Sequence, residues 1–180
     1  ASGNSFGEIN IWDSATGKEI QILEENFGSV ERLSFSPDSK IIASGFDNGT
    51  IKLWNLATGE KIKSFQAHIN EIRNISFSSN GQILASSSND NQIKLWNLAT
   101  GEHINTLKVD YNKIINVSFS PTENIIAAGL SNGKIKLWNP ETGEEIQTLK
   151  AHSRQVTKIS FSPNGKIILS GSEDGTIKVW

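Results

Sequence analysis

Ile93-Lys94-Leu95-Trp96-Asn97-Leu98-Ala99-Thr100-Gly101-Glu102 repeats, residue for residue, the stretch Ile51 to Glu60 that lies 42 residues earlier. The tryptophans keep the same step along the whole chain, at Trp12, Trp54, Trp96, Trp138 and Trp180, so one unit is copied four times without insertion or deletion. The units are residues 13–54, 55–96, 97–138 and 139–180, with residues 1–12 as the tail of a preceding one, all in a single domain spanning 1–180. A period of this length, with a short strand pattern about every ten residues, belongs to blade-type β repeats, since helical repeats would show a 3.6-residue period.

Residues 55–96 show how one copy is built. Asn55-Leu56-Ala57-Thr58-Gly59-Glu60 reads as a turn in which Gly59 takes the positive φ that a tight hairpin demands. Every copy repeats it, as Thr16-Gly17, Thr58-Gly59, Thr100-Gly101 and Thr142-Gly143. Lys61 to Gln66 alternates polar and apolar residues, with Ile62 and Phe65, and is expected to be an outer strand with one wet face. In Ile72 to Ser78, Ile75 and Phe77 share a face, but Ile72 stands three residues before Ile75, so a β-bulge at Arg73-Asn74 restores the register. Gln82 to Ser87 forms a strand buried on both faces, and Gln92 to Trp96 closes the unit.

Sheets of this kind cannot bury two apolar faces alone, so the copies must stack face to face around an axis. The fold class is therefore all-β, a partial β-propeller of about four blades, each a four-stranded antiparallel sheet. Three complete blades are expected, flanked by incomplete ones, with no helix longer than one turn. All five tryptophans and Phe35, Phe77, Phe119 and Phe161 are expected to be core.

A formal charge of -2, with Lys and Glu interspersed, gives no single-sign field, which excludes nucleic acid and anionic membrane as expected partners. No window approaches the roughly eighteen apolar residues of a membrane helix, and the first residues lack the pattern of a signal peptide, so a cytoplasmic protein is expected. The absence of cysteine removes disulfides and thiolate metal sites. No methionine occurs, even at position 1, and the chain is read as part of a longer one.

The strings Ile51-Lys52-Leu53-Trp54, Ile93-Lys94-Leu95-Trp96, Ile135-Lys136-Leu137-Trp138 and Ile177-Lys178-Val179-Trp180 resemble the Trp-Asp strand end of the WD40 repeat family, and the resemblance covers the whole chain. The near-equal copies are similar to bacterial-type arrays of that family. Asp follows only Trp12, and Asn55, Asn97 and Asn139 stand in its place elsewhere. The family's Gly-His pair has counterparts in Ala67-His68 and Ala151-His152, with Asn26 and Asp110 at the His position of the other copies. The resemblance implies a buried structural network of His, Ser or Thr, Asp and Trp. Two copies keep all four members, as His68, Ser86, Asp90 and Trp96 and as His152, Ser170, Asp174 and Trp180. The first copy offers Asn26, Ser44, Asn48 and Trp54, and the third Asp110, Ala128, Asn132 and Trp138. His and Asp are kept or lost together, because a buried Asp without its His would be an unpaired charge.

No catalytic, cofactor or metal residue is assigned. Ser86, His68 and Asp90 match a hydrolase triad in residue type, but the set recurs at His152, no Gly-x-Ser-x-Gly frames either serine, and a tryptophan partner points to a buried network. His103 has no second ligand-type residue at metal spacing and reads as a solvated side chain. Asn48-Gly49-Thr50, Asn74-Ile75-Ser76 and Asn116-Val117-Ser118 match the glycosylation pattern, the last two within expected buried strands.

The resemblance further implies a rigid platform whose protein or peptide partner docks on the face carrying the His loops and the Asp turns. Three positions per blade project there: the bulge residues Glu31, Arg73, Ile115 and Thr157; the residues two earlier, Ser29, Glu71, Lys113 and Gln155; and those before the network Asp, namely Asp47, Asn89, Ser131 and Glu173. Their chemistry changes with every copy, whereas Ile20, Ile62, Ile104 and Ile146 never change. Varied residues on a fixed framework suit recognition, although drift on an exposed surface produces the same contrast. No aromatic or Arg cluster names the ligand. The expected function is a non-catalytic protein-interaction scaffold or regulatory platform, and the alternative is a self-assembly unit that forms a homodimer through open blade edges. Four copies leave two such edges, so the segment is either excised from a longer propeller or completes a ring of about eight blades with a second copy. The redundancy of residues 1–12 and 169–180 speaks for excision.

Overall fold

The structure, a computed structural model, describes residues 1–24, 28–109 and 112–180. Two expected positions, Asn26 and Asp110, lie outside the described residues. The first sheet has three strands, β1 (Ser2–Gly3), β2 (Ile9–Trp12) and β3 (Glu19–Leu23). A four-stranded sheet follows, made of β4 (Val30–Phe35), β5 (Ile41–Phe46), β6 (Thr50–Asn55) and β7 (Lys61–Gln66). The next contains β8 (Ile72–Phe77), β9 (Ile83–Ser88), β10 (Ile93–Asn97) and β11 (His103–Leu107). The third four-stranded sheet contains β12 (Ile114–Phe119), β13 (Ile126–Leu130), β14 (Lys134–Trp138) and β15 (Glu145–Lys150). The last has three strands, β16 (Val156–Phe161), β17 (Ile168–Ser172) and β18 (Ile177–Val179).

Each sheet is an antiparallel meander in chain order, and no described residue is helical. The first strands of successive sheets, β4, β8, β12 and β16, lie beside one another, so the blades fan out from a common inner row as in a β-propeller. Sheets and sequence copies are out of phase by one strand. Lys61 opens β7 in the second copy, yet β7 pairs with β6 of the first, with Ile51 opposite Phe65. Each copy therefore gives its first strand to the blade before it, which ties neighbouring copies together covalently.

Local chemistry explains the hairpins. Asn55 Oδ1 accepts the N–H groups of Ala57 and Thr58 at 2.8 and 3.2 Å, Gly59 N donates to Asn55 O at 2.8 Å, and Gly59 sits at φ 76°. Asp13 caps its own turn in the same way, through Ala15 N and Thr16 N. Asn thus replaces Asp after the tryptophan with the turn intact. The bulge in the innermost strand recurs in all four sheets that have one, with Glu31, Arg73, Ile115 and Thr157 as the extra residues. A second irregularity, signalled by the three-residue step from Ile62 to Phe65 although plain alternation is read there, falls in the outer strands. Trp54 pairs with Lys61 while Leu53 pairs with Lys63, so Ile62 is turned outward and is exposed, as are Ile20, Ile104 and Ile146.

The core lies between sheets. Ala43, Ile51 and Leu53 of one sheet pack with Ile72, Ile75 and Phe77 of the next, and each fully buried aliphatic side chain is worth about 1.5–3 kcal/mol relative to an exposed one. The approach is close: a Cβ on Gly45 would come within 2.5 Å of Ile72 Cγ2. One expectation needs correction here. Trp54, Trp96, Trp138, Phe77 and Phe119 are buried, but Trp12, Trp180 and Phe35 are exposed and Phe161 is only partly covered. These residues pack toward the preceding sheet: Phe35 faces the three-stranded first sheet and Trp12 has no described sheet before it, whereas Trp180 faces the complete sheet β12–β15 but lies in a sheet that has no outer strand among the described residues.

Candidate functional site

The second copy assembles a continuous polar chain inside an apolar blade. His68 lies in the loop from β7 to β8, Ser86 on β9, Asp90 in the β9–β10 turn and Trp96 on β10. Trp96 Nε1 donates to Ser86 Oγ at 2.9 Å, Ser86 Oγ lies 2.8 Å from His68 Nε2, and His68 Nδ1 lies 2.9 Å from Asp90 Oδ2. Burial holds His68 below the ordinary histidine range, against the pull of Asp90. A neutral imidazole then donates through Nδ1–H to Asp90 and accepts the Ser86 hydroxyl proton at Nε2, so every member is satisfied. Ser86 and His68 are both buried, and the indole N–H already occupies the serine oxygen.

The fourth copy repeats the set with a looser acid. His152 Nε2 lies 2.8 Å from Ser170 Oγ, Trp180 Nε1 donates to Ser170 Oγ at 2.8 Å, and His152 Nδ1 is 3.1 Å from Asp174 Oδ2. Asp174 is held far below the usual carboxylate range by the Thr176 hydroxyl and by the N–H groups of Ser153 and Thr176. In the first copy, Trp54 Nε1 still donates to Ser44 Oγ at 2.9 Å. In the third, Ala128 offers Trp138 no hydroxyl. The Asp positions keep a second duty in every copy. Asn48, Asp90, Asn132 and Asp174 each accept, at about 3 Å, the N–H two residues on, that of Thr50, Gln92, Lys134 and Thr176. Asn can do this without a charge, which is why it suffices where His is absent.

One row of residues escaped the sequence reading. Lys94 Nζ donates to Ala67 O at 3.0 Å, Lys178 Nζ bonds Ala151 O, and Lys136 Nζ meets Glu145 Oε2 at 2.7 Å. Lys52 and Lys136 are buried, and the Lys52 ammonium stands 4.3 Å from the Phe46 ring centre. The signal was present: in Ile-Lys-Leu-Trp, alternation places Lys on the face of the buried Trp. His103 is exposed, as expected, but it also lays its ring edge against Trp96 at 5.3 Å and bonds Thr106 Oγ1. Among the described residues no three His, Asp or Glu side chains are placed to hold a metal ion, and no helix is long and apolar enough to cross a membrane.

The structure groups the three variable positions of each blade on one edge. Backbone N–H bonds run from Asp47 to Ser29 O, from Asn89 to Glu71 O, from Ser131 to Lys113 O and from Glu173 to Gln155 O, all at 3.0–3.1 Å. The bulge residues Glu31, Arg73, Ile115 and Thr157 stand one residue into the adjoining strand. In the second copy all three side chains interlock: Arg73 Nε donates to Asn89 Oδ1 at 2.7 Å, Asn89 Nδ2 to Glu71 Oε2 at 2.9 Å, and Arg73 pairs with Glu71 at 3.2 Å. Gln155 bonds Glu173 in the fourth. The loops behind them are fixed by close backbone packing. Ala67 N and His68 N both donate to Gly49 O, and a Cβ on Gly49, at φ 81°, would lie 2.2 Å from His68 O.

A family model described as the IFT122 first beta-propeller matches residues 1–180. No curated protein matches the chain. Because 1660 solved chains match, the fold by itself names no activity. One of them is the crystal structure of the computationally designed Ika8 protein, 32% identical, with a TM-score of 0.84 over 99% of this chain and 54% of that one. The present chain thus spans about half the length of that structure.

Proposed function

Because the chain belongs to the family of the IFT122 first β-propeller, we propose that it is a non-catalytic scaffold of WD40 blades that binds a protein or peptide on the edge carrying the bulges and the Asp turns. The observation that supports this most is the repeated backbone bond between the loop before each inner strand and the turn after the next. It fixes three side chains per blade on a rigid frame, and those side chains differ in charge and shape from copy to copy. A frame that pays its ordering cost on folding presents them without further entropy loss on binding. The buried Ser86, whose oxygen already accepts the Trp96 indole N–H, and the buried His68 bonded between Ser86 and Asp90 support the non-catalytic part of the reading. The unbroken 42-residue period supports a bacterial-type array, and a cytoplasmic location is part of the same proposal.

Capture of a heterologous partner by the wild-type chain tests it. Arg73→Glu and Glu31→Arg are both expected to abolish capture. Arg73→Glu also breaks the bonds to Asn89 and Glu71 and lowers the unfolding midpoint, so Glu31→Arg is the variant expected to leave it nearly unchanged, and Lys61→Glu on an outer strand is expected to leave capture intact. Capture indifferent to the bulge substitutions would sink the proposal.

A further inference from the structure

The end of the blades that carries the bulges and the Asp turns differs in charge from sheet to sheet, and the difference is ordered along the fan. In the sheet β4–β7 the bulge position and the position before the Asp turn hold Glu31 and Asp47. Their counterparts in the sheet β8–β11 touch, through the 2.7 Å bond from Arg73 Nε to Asn89 Oδ1, so the two positions face each other. Two carboxylates placed there repel, and neither has a hydrogen-bond or ion-pair partner among the described residues. The neighbouring cation, Arg32, directs Nε to Arg73 O and Nη1 to Glu31 O, and offsets part of this charge without touching either carboxylate.

The sheet β12–β15 carries the opposite sign at the same end. Lys134, whose N–H bonds to Asn132 Oδ1 in the β13–β14 turn, stands directly across the ladder from Lys150, the last residue before Ala151 and His152. In the sheet β4–β7 that pair is Thr50 and Gln66, two neutral side chains that hydrogen-bond. Like charges directly opposite in a ladder are destabilising, so folding gives no reason for two lysines here. Lys113 adds a third, exposed ammonium beside the half-buried Ile115. None of the three ammonium groups has a hydrogen-bond or ion-pair partner among the described residues, and Glu145, whose field reaches Lys134, is bonded to Lys136. Between the two poles the sheet β8–β11 is neutralised internally, since Arg73 pairs with Glu71 and bonds Asn89.

We propose that the partner on this edge is an extended protein segment with basic residues at one end and acidic residues beside an apolar one at the other. The basic end meets Glu31 and Asp47; the acidic end meets Lys113, Lys134 and Lys150, with its apolar residue on Ile115. The inference rests on the binding edge proposed above and specifies its ligand. The inner strands β4, β8 and β12 lie side by side. Two sheet spacings of about 10 Å therefore separate the poles, a span that roughly six extended residues cover. A nucleic acid does not fit, because a uniformly negative strand would have to run over Glu31 and Asp47. Charges arranged in this way decide which partner is accepted, and in which orientation, more than they raise affinity.

Fluorescence anisotropy with labelled synthetic peptides and the intact chain tests it. The peptides share one Ser-Gly spacer and one leucine and differ only at their ends: arginines at one end with glutamates beside the leucine at the other, arginines at both, glutamates at both, or glutamines at both. The first is expected to bind about tenfold or more tighter than the others and to weaken as salt is added. Lys134→Glu with Lys150→Glu is expected to move the preference to the peptide with arginines at both ends, and Glu31→Lys with Asp47→Lys to the one with glutamates at both. Each double variant gains a ligand, which a misfolded chain cannot imitate. No binding of the first peptide, a glutamine peptide that binds as tightly, a ranking that neither double variant alters, or a labelled single-stranded oligonucleotide that binds tighter than every peptide would overturn the proposal. If Glu31→Arg still abolishes capture of a heterologous partner while the peptide ranking is flat, this inference falls and the binding edge stands; capture indifferent to Glu31→Arg overturns both.

Discussion

The sheet β8–β11 and the sheet β12–β15 share a backbone plan but not a polar interior. In the first, Ser86 receives the Trp96 indole and passes the chain on to His68 and Asp90; in the second, Ala128 stands at that point. Yet Trp138 is 1% exposed and Trp96 7%, so the tryptophan without a hydroxyl partner is at least as well enclosed. Apolar contact between sheets therefore carries the blade, and the network adds an increment to it. The difference also explains why the network is lost as a set. Asn132 keeps the turn bond to Lys134 N without introducing a charge that only a histidine could satisfy.

The comparison ranks substitutions. Trp138→Ala is expected to cost about 3–5 kcal/mol in urea unfolding, the largest loss, although the residue lies in the blade without the network. His68→Ala or Asp90→Ala should cost about 1–3 kcal/mol by stranding a buried partner, and Asn132→Ala less. If His68→Ala proved costlier than Trp138→Ala, the network rather than the packing would carry the fold. The His68, Asp90 double variant should lose less than the sum of the two single losses, since both break one chain of bonds.

A smaller effect sharpens the same contrast through pH. Burial lowers His68 from its ordinary 6.5, so between that value and the folded value the unfolded chain binds the extra proton. Stability is then lost as pH falls below about 6.5. Asp174, held low by the Thr176 hydroxyl, contributes stability that is present above the ordinary 3.8 and lost only in stronger acid. Denaturant midpoints measured from neutral to mildly acidic pH should decline in the wild type and decline less in His68→Gln. Equal slopes would mean that His68 titrates normally in the fold.

Strand order, hairpins and the inner bulge were legible in the sequence because each follows from local pattern: a Thr-Gly turn, a period of two, and one odd spacing at Ile72. What was not legible depends on neighbours in space. The exposure of Phe35 and Trp12 reflects how much of the adjoining sheet exists, which no local pattern records. By contrast, Ile62 stands three residues before Phe65, the same odd spacing as Ile72 before Ile75, so its outward turn at the irregularity opposite Trp54 was legible by the same rule, although the sequence reading applies that rule only to the inner bulge. The side chain of Asn116 accepts Ile159 N from the next sheet at 3.1 Å, a bond between residues 43 apart that nothing in either strand announces. The network residues could be aligned by position, but their distances and the role of Lys94 at Ala67 O needed the fold.

Ser87 tests how finely the copies are fitted to one another. Gly45 and Gly129 hold its position in the adjacent copies, where a Cβ would meet Ile72 or Val156 side chains at 2.5 and 2.7 Å. Ser87 instead places a hydroxyl there, and its Oγ is buried without a hydrogen-bond partner, as is Oδ1 of Asn74 directly across the β8–β9 ladder. An unpaired buried hydroxyl costs its desolvation and returns no hydrogen bond, while Ala keeps the Cβ and removes only the polar atom. Ser87→Ala is therefore expected to raise stability by up to about 1 kcal/mol, the smallest change proposed and the only one of favourable sign. The matching substitution at Ser86, one residue earlier, should go the other way, because there the hydroxyl serves both Trp96 and His68. A loss at Ser87 comparable to that at Ser86 would show instead that Ser87 and Asn74 share a bound water, which makes this pair of adjacent serines a sensitive measure of which polar atoms the blade uses.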